Sequence, residues 1–330
     1  MTKLRCLLTV AGLFCCGPLF AADPNAVTFT DPEAAGLDFQ IQGEYLGNVP
    51  THNGDQEVGV QVIALGEGKF RAVAHIGGLP GAGWSRGDET RVVDGQLVGS
   101  AAQFLVNDGD IRVEVSDGSL KVVANGSQIA DLPKANRQSP TLGAKPPEGA
   151  LVLFDGSSTD AWEGGQLVEG ELLGATDCAS REKFGDHSLH AEFRTPFMPN
   201  SSGQARGNSG VYVQSRYEVQ VLDSFGLEGR NNECGGIYSI SEPAVNMCLP
   251  PLAWQTYDMD FTAARYDQDG KKTKNARITV RHNGVVIHDD IELTHGTPGR
   301  HPEGPEQDGL FLQNHGNPVA FRNIWVVQKL

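Results

Sequence analysis

The stretch Gly207-Asn-Ser-Gly-Val-Tyr-Val-Gln-Ser-Arg-Tyr-Glu-Val-Gln-Val-Leu-Asp223 decides the fold. It contains two short runs, rich in valine and tyrosine, on either side of a tight connection near Ser215 and Arg216. Because successive side chains of a strand point to opposite faces, these runs predict a β-hairpin. Glu218 and Gln220 then share one face, and the valines share the other. A face that carries hydrogen-bond acceptors borders water or a ligand, so the search for function begins here.

The rest of the C-terminal half, residues 149–330, continues this pattern of short strands. The sequence predicts strands at residues 189–194, 210–223, 255–261, 276–282, 285–289, 310–313 and 319–327. Asn283-Gly284 is typical of a tight hairpin turn between two of them. No segment of helical periodicity is longer than two turns. We therefore predict an all-β fold, a two-sheet antiparallel sandwich.

Residues 24–138 predict a separate small β-meander domain. Asp108-Gly109, Asp117-Gly118 and Asn125-Gly126 interrupt apolar runs and supply the positive φ angles that hairpin turns require. We expect one sheet or half a sandwich, without a catalytic cluster. Residues 139–148 are rich in Pro and Gly and predict a linker to the sandwich domain.

Residues 1–22 have the pattern of a secretory signal peptide. Lys3 and Arg5 precede an apolar run over residues 7–20, and Ala21-Ala22 resembles a cleavage site. The run is too short to span a bilayer, and no other segment predicts membrane insertion. We therefore expect a periplasmic or secreted protein.

The charge of the chain excludes one class of partner. The formal net charge of −15 becomes −17 when the signal and its two basic residues are removed. Such an acidic surface repels phosphate backbones, so we expect no binding to nucleic acid.

The mature chain keeps an odd number of cysteines, Cys178, Cys234 and Cys248. In an oxidising compartment Cys234 and Cys248 could form a disulfide across a loop. Buried free thiols fit the sequence equally well.

Three clusters are candidates for chemistry. In the first, Glu218, Gln220 and Asp223 could line a concave sheet. The second is the loop at residues 231–238, where glycines enter a strand and Tyr238 could form a pocket wall.

The third cluster covers residues 312–325. His315 lies in a turn rich in Gly, Asn and Pro, where an imidazole can transfer protons or bind a ligand. Arg322 is expected to clamp a carboxylate such as Glu218, or to bind a substrate oxygen.

The sequence gives less reason to assign a function to the other histidines. His187 and His190 would face opposite sides of one strand and make a poor metal pair. His282 and His288 flank the Asn283-Gly284 turn, and we expect both at the surface.

Residues 149–330 resemble the 3-keto-disaccharide hydrolase family, for many years a domain of unknown function. The resemblance rests on seven ordered motifs, which together are specific although each is short: Leu153-Phe-Asp-Gly156, Phe184-Gly-Asp186, Gly207-Asn-Ser-Gly-Val-Tyr212, Tyr217-Glu-Val-Gln-Val-Leu-Asp223, Cys234-Gly-Gly-Ile-Tyr238, Trp254-Gln-Thr-Tyr-Asp258 and His315-Gly-Asn-Pro-Val-Ala-Phe-Arg-Asn-Ile-Trp325. It implies a concanavalin-like jelly-roll sandwich that acts on oxidised sugars.

The implied reaction is elimination followed by hydration. A ketone at C3 acidifies the hydrogen on C2, so a general base can remove it and the C1–O bond then breaks. This route needs a base, a donor for the enolate oxygen and an acid for the leaving oxygen.

Under this hypothesis His315 or Glu218 is the base. Asp223 would orient a neighbour, and four side chains would bind the sugar or the enolate: Asn208, Gln220, Tyr238 and Arg322. The resemblance leaves a divalent metal possible as the enolate donor.

Two other functions stay open from the sequence. The same sandwich could be a non-catalytic carbohydrate-binding protein, or a conventional glycosidase with two carboxylates. In all three cases the expected partner is a carbohydrate.

Overall fold

The computed structural model describes residues 26–329, so the predicted signal peptide lies outside the described residues. Almost all regular structure is β, which confirms the predicted fold class. No helix among the described residues has the length and apolar character needed to span a bilayer.

The N-terminal domain is a closed β-barrel. Its elements are α1 Gly36–Ile41, β1 Gly43–Thr51, β2 Gly54–Gly66, β3 Lys69–Ile76, β4 Leu79–Pro80, β5 Gly83–Trp84, β6 Thr90–Val98, β7 Ala101–Val106, β8 Ile111–Ser116, β9 Ser119–Ala124 and β10 Ser127–Ala135. The strands follow the order β1-β10-β9-β8-β7-β6-β3-β2, and β2 pairs with β1 to close the ring. The expected meander is thus a single sheet whose two edge strands pair with each other and close the barrel. The strands β4 and β5 form a small ribbon outside it.

The barrel encloses a packed apolar core. Its interior is filled by side chains such as Tyr45, Phe70 and Phe104, each completely buried. A barrel of eight strands is just wide enough for side chains to fill it. Phe197 and Leu252 from the C-terminal domain belong to the same apolar cluster, so the core of the barrel extends into its neighbour.

The C-terminal domain contains fifteen strands within residues 151–328. They are β11 Leu151–Phe154, β12 Trp162–Glu163, β13 Leu167–Val168, β14 Leu172–Gly174, β15 Cys178–Ser180, β16 His187–Arg194, β17 Ser209–Val213, β18 Tyr217–Val221, β19 Gln255–Thr262, β20 Arg265–Tyr266, β21 Lys272–Lys274, β22 Ala276–His282, β23 Val285–Leu293, β24 Phe311–Leu312 and β25 Ala320–Gln328. The predicted strands all fall on these elements.

Two antiparallel sheets make up the sandwich. The large sheet has the order β13-β14-β25-β16-β19-β22-β23, with β11 also paired to β25. The small sheet has the order β12-β15-β24-β17-β18. Phe193 and Phe261 of the large sheet pack against Val211 and Val219 of the small sheet in one apolar core. Because side chains alternate along a strand, the neighbours of these residues lie on the two outer faces.

The segment predicted as a linker packs against the outer face of the large sheet. The Ser139 hydroxyl lies 2.6 Å from the Thr256 hydroxyl. The Gly143 N–H donates to Glu192 at 2.6 Å. This stretch of chain is therefore part of the packed structure and fixes how the barrel meets the sandwich.

Candidate functional site

The hairpin of β17 and β18 presents polar side chains on the outer face of the small sheet. Its register pairs Tyr212 with Glu218 and Gly210 with Gln220. The alternating valines enter the core, as the sequence predicted. The acceptor-rich face of this hairpin is therefore a real feature of the fold.

The connection between the two strands is tight and strained. Gln214 and Ser215 both have φ of +50°, a left-handed conformation that non-glycine residues seldom adopt. The Gln214 amide donates to Phe184 O at 2.7 Å, and the Ser215 hydroxyl donates to Gly309 O at 3.0 Å. These side-chain hydrogen bonds offset the local strain and hold the hairpin in its register.

Glu218 is a buried carboxyl group with few donors around it. It is 4% exposed, and its Oε2 accepts a hydrogen bond from the Tyr212 hydroxyl at 2.8 Å. Burial raises the pKa of Glu218 to about 8, and the bond from Tyr212 opposes this only in part. At neutral pH Glu218 is therefore mostly protonated and can donate a proton.

Tyr212 connects Glu218 to two other groups. The side-chain amide of Gln313 donates to the Tyr212 hydroxyl at 3.1 Å, and the same hydroxyl lies 3.2 Å from Pro298 O. When Glu218 is protonated, it can donate to Tyr212 while Tyr212 donates to Pro298 O. The hydrogen-bond network therefore accommodates both protonation states of the carboxyl group.

Two glycines make this close packing possible. A Cβ at Gly210 would lie 2.5 Å from Glu218 Oε1, and one at Gly299 would lie 2.5 Å from the Tyr212 hydroxyl oxygen. Gly299 also has a φ of +143°, which favours glycine. Any larger residue at either position would displace the two groups that share the proton.

Asn208 and Gln220 form an amide network beside Glu218. The Gln220 side chain donates to Asn208 Oδ1 at 3.1 Å and to Gln204 Oε1 at 3.2 Å. Both Asn208 and Gln220 are 1% exposed. They lie on the predicted face, but their polar atoms already bond one another.

Tyr238 lies on the same face. Gly235 and Gly236 exchange backbone hydrogen bonds with Gln220 at 2.9 Å, so their loop extends the edge of β18. Ile237 enters the core. The alternation places Tyr238, which is half-buried, on the outer face with Glu218.

His315 lies in the turn between β24 and β25, two residues after Gln313. It is half-buried, and burial lowers its pKa while the Asp177 carboxylate opposes the change. The Asp177 carboxylate accepts a hydrogen bond from the Asn314 N–H at 2.8 Å, which holds it beside the turn that carries His315. At neutral pH His315 is mostly the free imidazole, which can accept a proton.

Asp223 does not join this group. Its Oδ2 accepts a hydrogen bond from Arg206 Nε at 2.6 Å, and both side chains are buried. Arg206 also donates to Ala64 O of the barrel at 3.1 Å. The partner of Asp223 is thus an arginine that also contacts the barrel, and the catalytic role expected for Asp223 stays a prediction.

The expected clamp between Arg322 and Glu218 is wrong. Arg322 lies on the outer face of the large sheet, where its Nε donates to Glu192 at 2.7 Å and its guanidinium stacks 4.0 Å from the centre of the Trp254 ring. The entire apolar core separates it from Glu218. The alternation of β25 shows that Arg322 faces away from Phe321, but spacing alone does not show which carboxylate is across from it.

The expectation that His282 and His288 lie at the surface is wrong. His282 is 0% exposed and His288 is 2% exposed, so neither is a surface residue. His282 Nε2 lies 2.9 Å from Gln255 Oε1, and His288 Nε2 lies 2.7 Å from Gly235 O. Cys178, Cys234 and Cys248 are all buried free thiols.

The residues around Glu218 do not fit a metal site. Within residues 26–329, no group of three or more His, Cys, Asp or Glu side chains is arranged to hold a metal ion. The hydrogen-bond partner of the Glu218 carboxyl group is the Tyr212 phenol, which is not a usual ligand for a divalent cation. No step of the chemistry is therefore assigned to a metal.

Sequence reasoning missed Tyr212, Gln313 and Gln204. Tyr212 contacts Glu218, Gln204 contacts Asn208 and Gln220, and Gln313 contacts Tyr212. Tyr212 could have been found, because the hairpin register places it directly opposite Glu218. Gln204 lies in a short 3-10 helix, Gly203–Ala205, before the hairpin, and no local pattern points to it.

Comparison with known proteins identifies the family. A crystal structure of a "putative glycosyl hydrolase" from Parabacteroides distasonis ATCC 8503 is 33% identical, with a TM-score of 0.50, over 56% of this chain and 85% of the other. A second structure with the same description and source is 19% identical, with a TM-score of 0.41, over 56% of this chain and 95% of the other. No curated protein matches the chain. Residues 149–327 match the model of the 3-keto-alpha-glucoside-1,2-lyase-like domain, so this chain belongs to that family of glycoside hydrolase-like proteins.

Proposed function

We propose that this protein cleaves the glycosidic bond of 3-keto-glycosides by removal of the C2 proton, elimination of the C1 oxygen substituent and addition of water. The observation that carries the proposal is the position of Glu218 on the outer face of the small sheet, where it bonds to Tyr212, whose hydroxyl also accepts from Gln313, two residues before His315. Glu218 is mostly protonated at neutral pH, while His315 is mostly a free base. Elimination needs one proton acceptor and one proton donor at the same time.

The roles follow from these protonation states. His315 takes the proton from C2, and Glu218 donates a proton to the leaving oxygen. The Tyr212 hydroxyl, held by Gln313, is a donor for the developing enolate oxygen. Tyr238 is half-buried on the same face and forms the wall against the sugar.

Access to Glu218 requires movement of the chain that covers it. Thr297 accepts a hydrogen bond from the Glu218 N–H at 2.9 Å, and Pro298 O lies beside Tyr212. The substrate would displace this segment and take over its contact with Tyr212. Closure afterwards would exclude water from the enolate until the leaving group has departed.

The paired-substrate assay tests the reaction. A purified 3-keto-disaccharide and its unoxidised parent are each incubated with the protein, with and without a chelator. We expect cleavage of the ketone only, unaffected by the chelator, with a primary deuterium isotope effect at C2. Cleavage of both sugars would instead indicate a conventional glycosidase.

A second function is favoured by the 4% exposure of Glu218. A carboxyl group this buried is compatible with a carbohydrate-binding protein that does not cleave its ligand. Binding of the 3-keto-disaccharide without turnover would support this alternative. Export to the periplasm or the medium is a further part of the proposal, and fractionation of cells that express the full chain tests it.

A further inference from the structure

A cavity of about 640 Å³ lies where the barrel meets the sandwich. Its walls come from β3, from β6, from residues 84–88 and from the sandwich loop at residues 226–233. The volume is typical of sites for small ligands, which often form between domains. None of the residues assigned to the proposed reaction lines this cavity.

Arg86 holds the two walls together. Its guanidinium donates to Glu228 O at 3.0 Å, to Gly229 O at 2.6 Å and to Pro243 O at 2.9 Å. Trp84, two residues earlier, packs against the core of the sandwich. The cavity is therefore built into the junction between the domains, and a ligand would not have to create it.

The charges of the lining cancel. The lining contains the arginines Arg71, Arg86 and Arg230 and the acidic residues Asp88, Glu228 and Glu233. Most are already engaged: Arg71 pairs with Asp94 at 2.7 Å, and Glu233 accepts hydrogen bonds from two backbone N–H groups. Such a lining does not select an anion or a cation, and it favours a neutral, polar ligand.

His75 contributes an unused hydrogen-bond acceptor. It is 4% exposed, and its Nε2 lies 3.1 Å from Gln61 Oε1. The Gln61 amide nitrogen donates to Glu44, so its oxygen faces His75 and Nε2 must carry the proton. Burial and the charge of Arg137 lower the pKa of His75 to about 4, so the ring is neutral. Nδ1 is then a bare acceptor without a partner among residues 26–329.

Trp84 contributes an unused donor beside it. The Trp84 and His75 ring centres are 4.7 Å apart, and Trp84 Nε1–H has no hydrogen-bond partner within the described part of the chain. The indole is half-buried, so part of it faces the cavity. An aromatic surface next to a donor and an acceptor suits a sugar, whose C–H groups pack on the ring and whose hydroxyls both donate and accept.

We propose that this cavity is a second saccharide-binding site, which takes a neutral mono- or disaccharide with Trp84 as its platform. A sugar hydroxyl donates to His75 Nδ1 and accepts from Trp84 Nε1–H. Both nitrogens are buried in the ligand-free protein, so the indole must rotate to admit the hydroxyl. The site would keep the protein on a glycan and does not depend on the cleavage reaction.

The test follows the indole N–H signals of the ¹⁵N-labelled full chain during titration with unoxidised disaccharides, namely cellobiose, maltose and trehalose, and with inorganic phosphate. The chain has four tryptophans. We expect the Trp84 signal to shift saturably with at least one disaccharide and not with phosphate. The signals are assigned in the wild-type protein, so this readout does not require a variant to fold.

Calorimetry with the same sugar gives the second readout. We expect W84F and H75F each to weaken binding at least about threefold, because each loses a neutral hydrogen bond. W254F is the matched control and should bind like the wild type, since Trp254 lies outside this cavity. A Trp84 signal that no disaccharide moves, a shift with phosphate alone, or equal affinity of W84F and W254F would overturn the proposal. The cleavage assay is independent of all three results.

Discussion

Two glutamates on opposite faces of the sandwich show what burial does to a carboxyl group. Glu192 is 0% exposed and Glu218 is 4% exposed, so both are removed from water. Burial raises the pKa of Glu218 to about 8. Burial acts on Glu192 in the same direction, but hydrogen bonds from His190, Asn323, Arg322 and Gly143 outweigh it and lower its pKa to about 2.

The difference lies in the donors that surround each group. Glu192 accepts from Arg322 at 2.7 Å, from Asn323 at 2.9 Å and from the Gly143 N–H at 2.6 Å. The Glu218 carboxyl group has one donor, the Tyr212 hydroxyl. Because several hydrogen-bond donors surround Glu192, it stays ionised and serves the structure. Glu218 has one donor, so it can exchange a proton near neutral pH.

The largest expected effect is the loss of protein stability when Glu192 is replaced. E192A leaves Arg322 and Asn323 without their acceptor, and we expect the free energy of unfolding to fall by about 3–5 kcal/mol. Urea denaturation at neutral pH measures this. The control E163Q changes an exposed glutamate and should stay within about 0.5 kcal/mol of the wild type. A loss for E192A as small as that of the control would show that the cluster is not structural.

The second effect is the pH dependence of protein stability that the ionisation of Glu218 causes. The pKa of Glu218 is raised from 4.5 to about 8 in the folded protein. The unfolded chain therefore loses its proton first, and stability falls as the pH rises from about 4.5 to about 8.

E218Q removes that loss, because glutamine does not ionise. Its advantage over the wild type should grow through this window and level off at roughly 3–5 kcal/mol above it. Paired melting curves from pH 4 to pH 9 measure the difference. An advantage that is constant with pH would mean that Glu218 is already ionised at neutral pH.

The third effect concerns activity on the 3-keto-disaccharide. We expect H315A and E218Q each to lower kcat at least about 100-fold, within the range for loss of a general acid or base. H52A, which changes an exposed histidine of the barrel, is the matched control for H315A. If neither variant loses tenfold, about 1.4 kcal/mol in the barrier, the assignment of the site fails.

The smallest effect comes from Tyr212. Y212F removes the one donor that favours the ionised form of Glu218, so the pKa of Glu218 should rise further, by roughly one pH unit or about 1 kcal/mol. Carboxyl ¹³C signals followed through a pH titration report it directly. A pKa that falls in Y212F would show that other groups set the ionisation of Glu218.

The sequence predicted much of the polar face because it lies on one hairpin. Alternation put Glu218 and Gln220 together and the valines behind them, and it needed no knowledge of the rest of the chain. It failed for Arg322 and for His282, whose partners come from strands far away in sequence. A period of two residues assigns a side chain to one of two faces, but it does not show whether another segment covers that face.

The sequence by itself determined that the chain is β-rich, where its strands lie and which residues of the β17–β18 hairpin share a face, since these follow from local alternation and turn chemistry. Tertiary structure alone decided the closure of the barrel, the partner of Asp223 and the opposite protonation states of Glu192 and Glu218. These properties depend on which segments fold over a residue and how many donors they bring. That information is spread along the whole chain, so it appears only when distant strands meet.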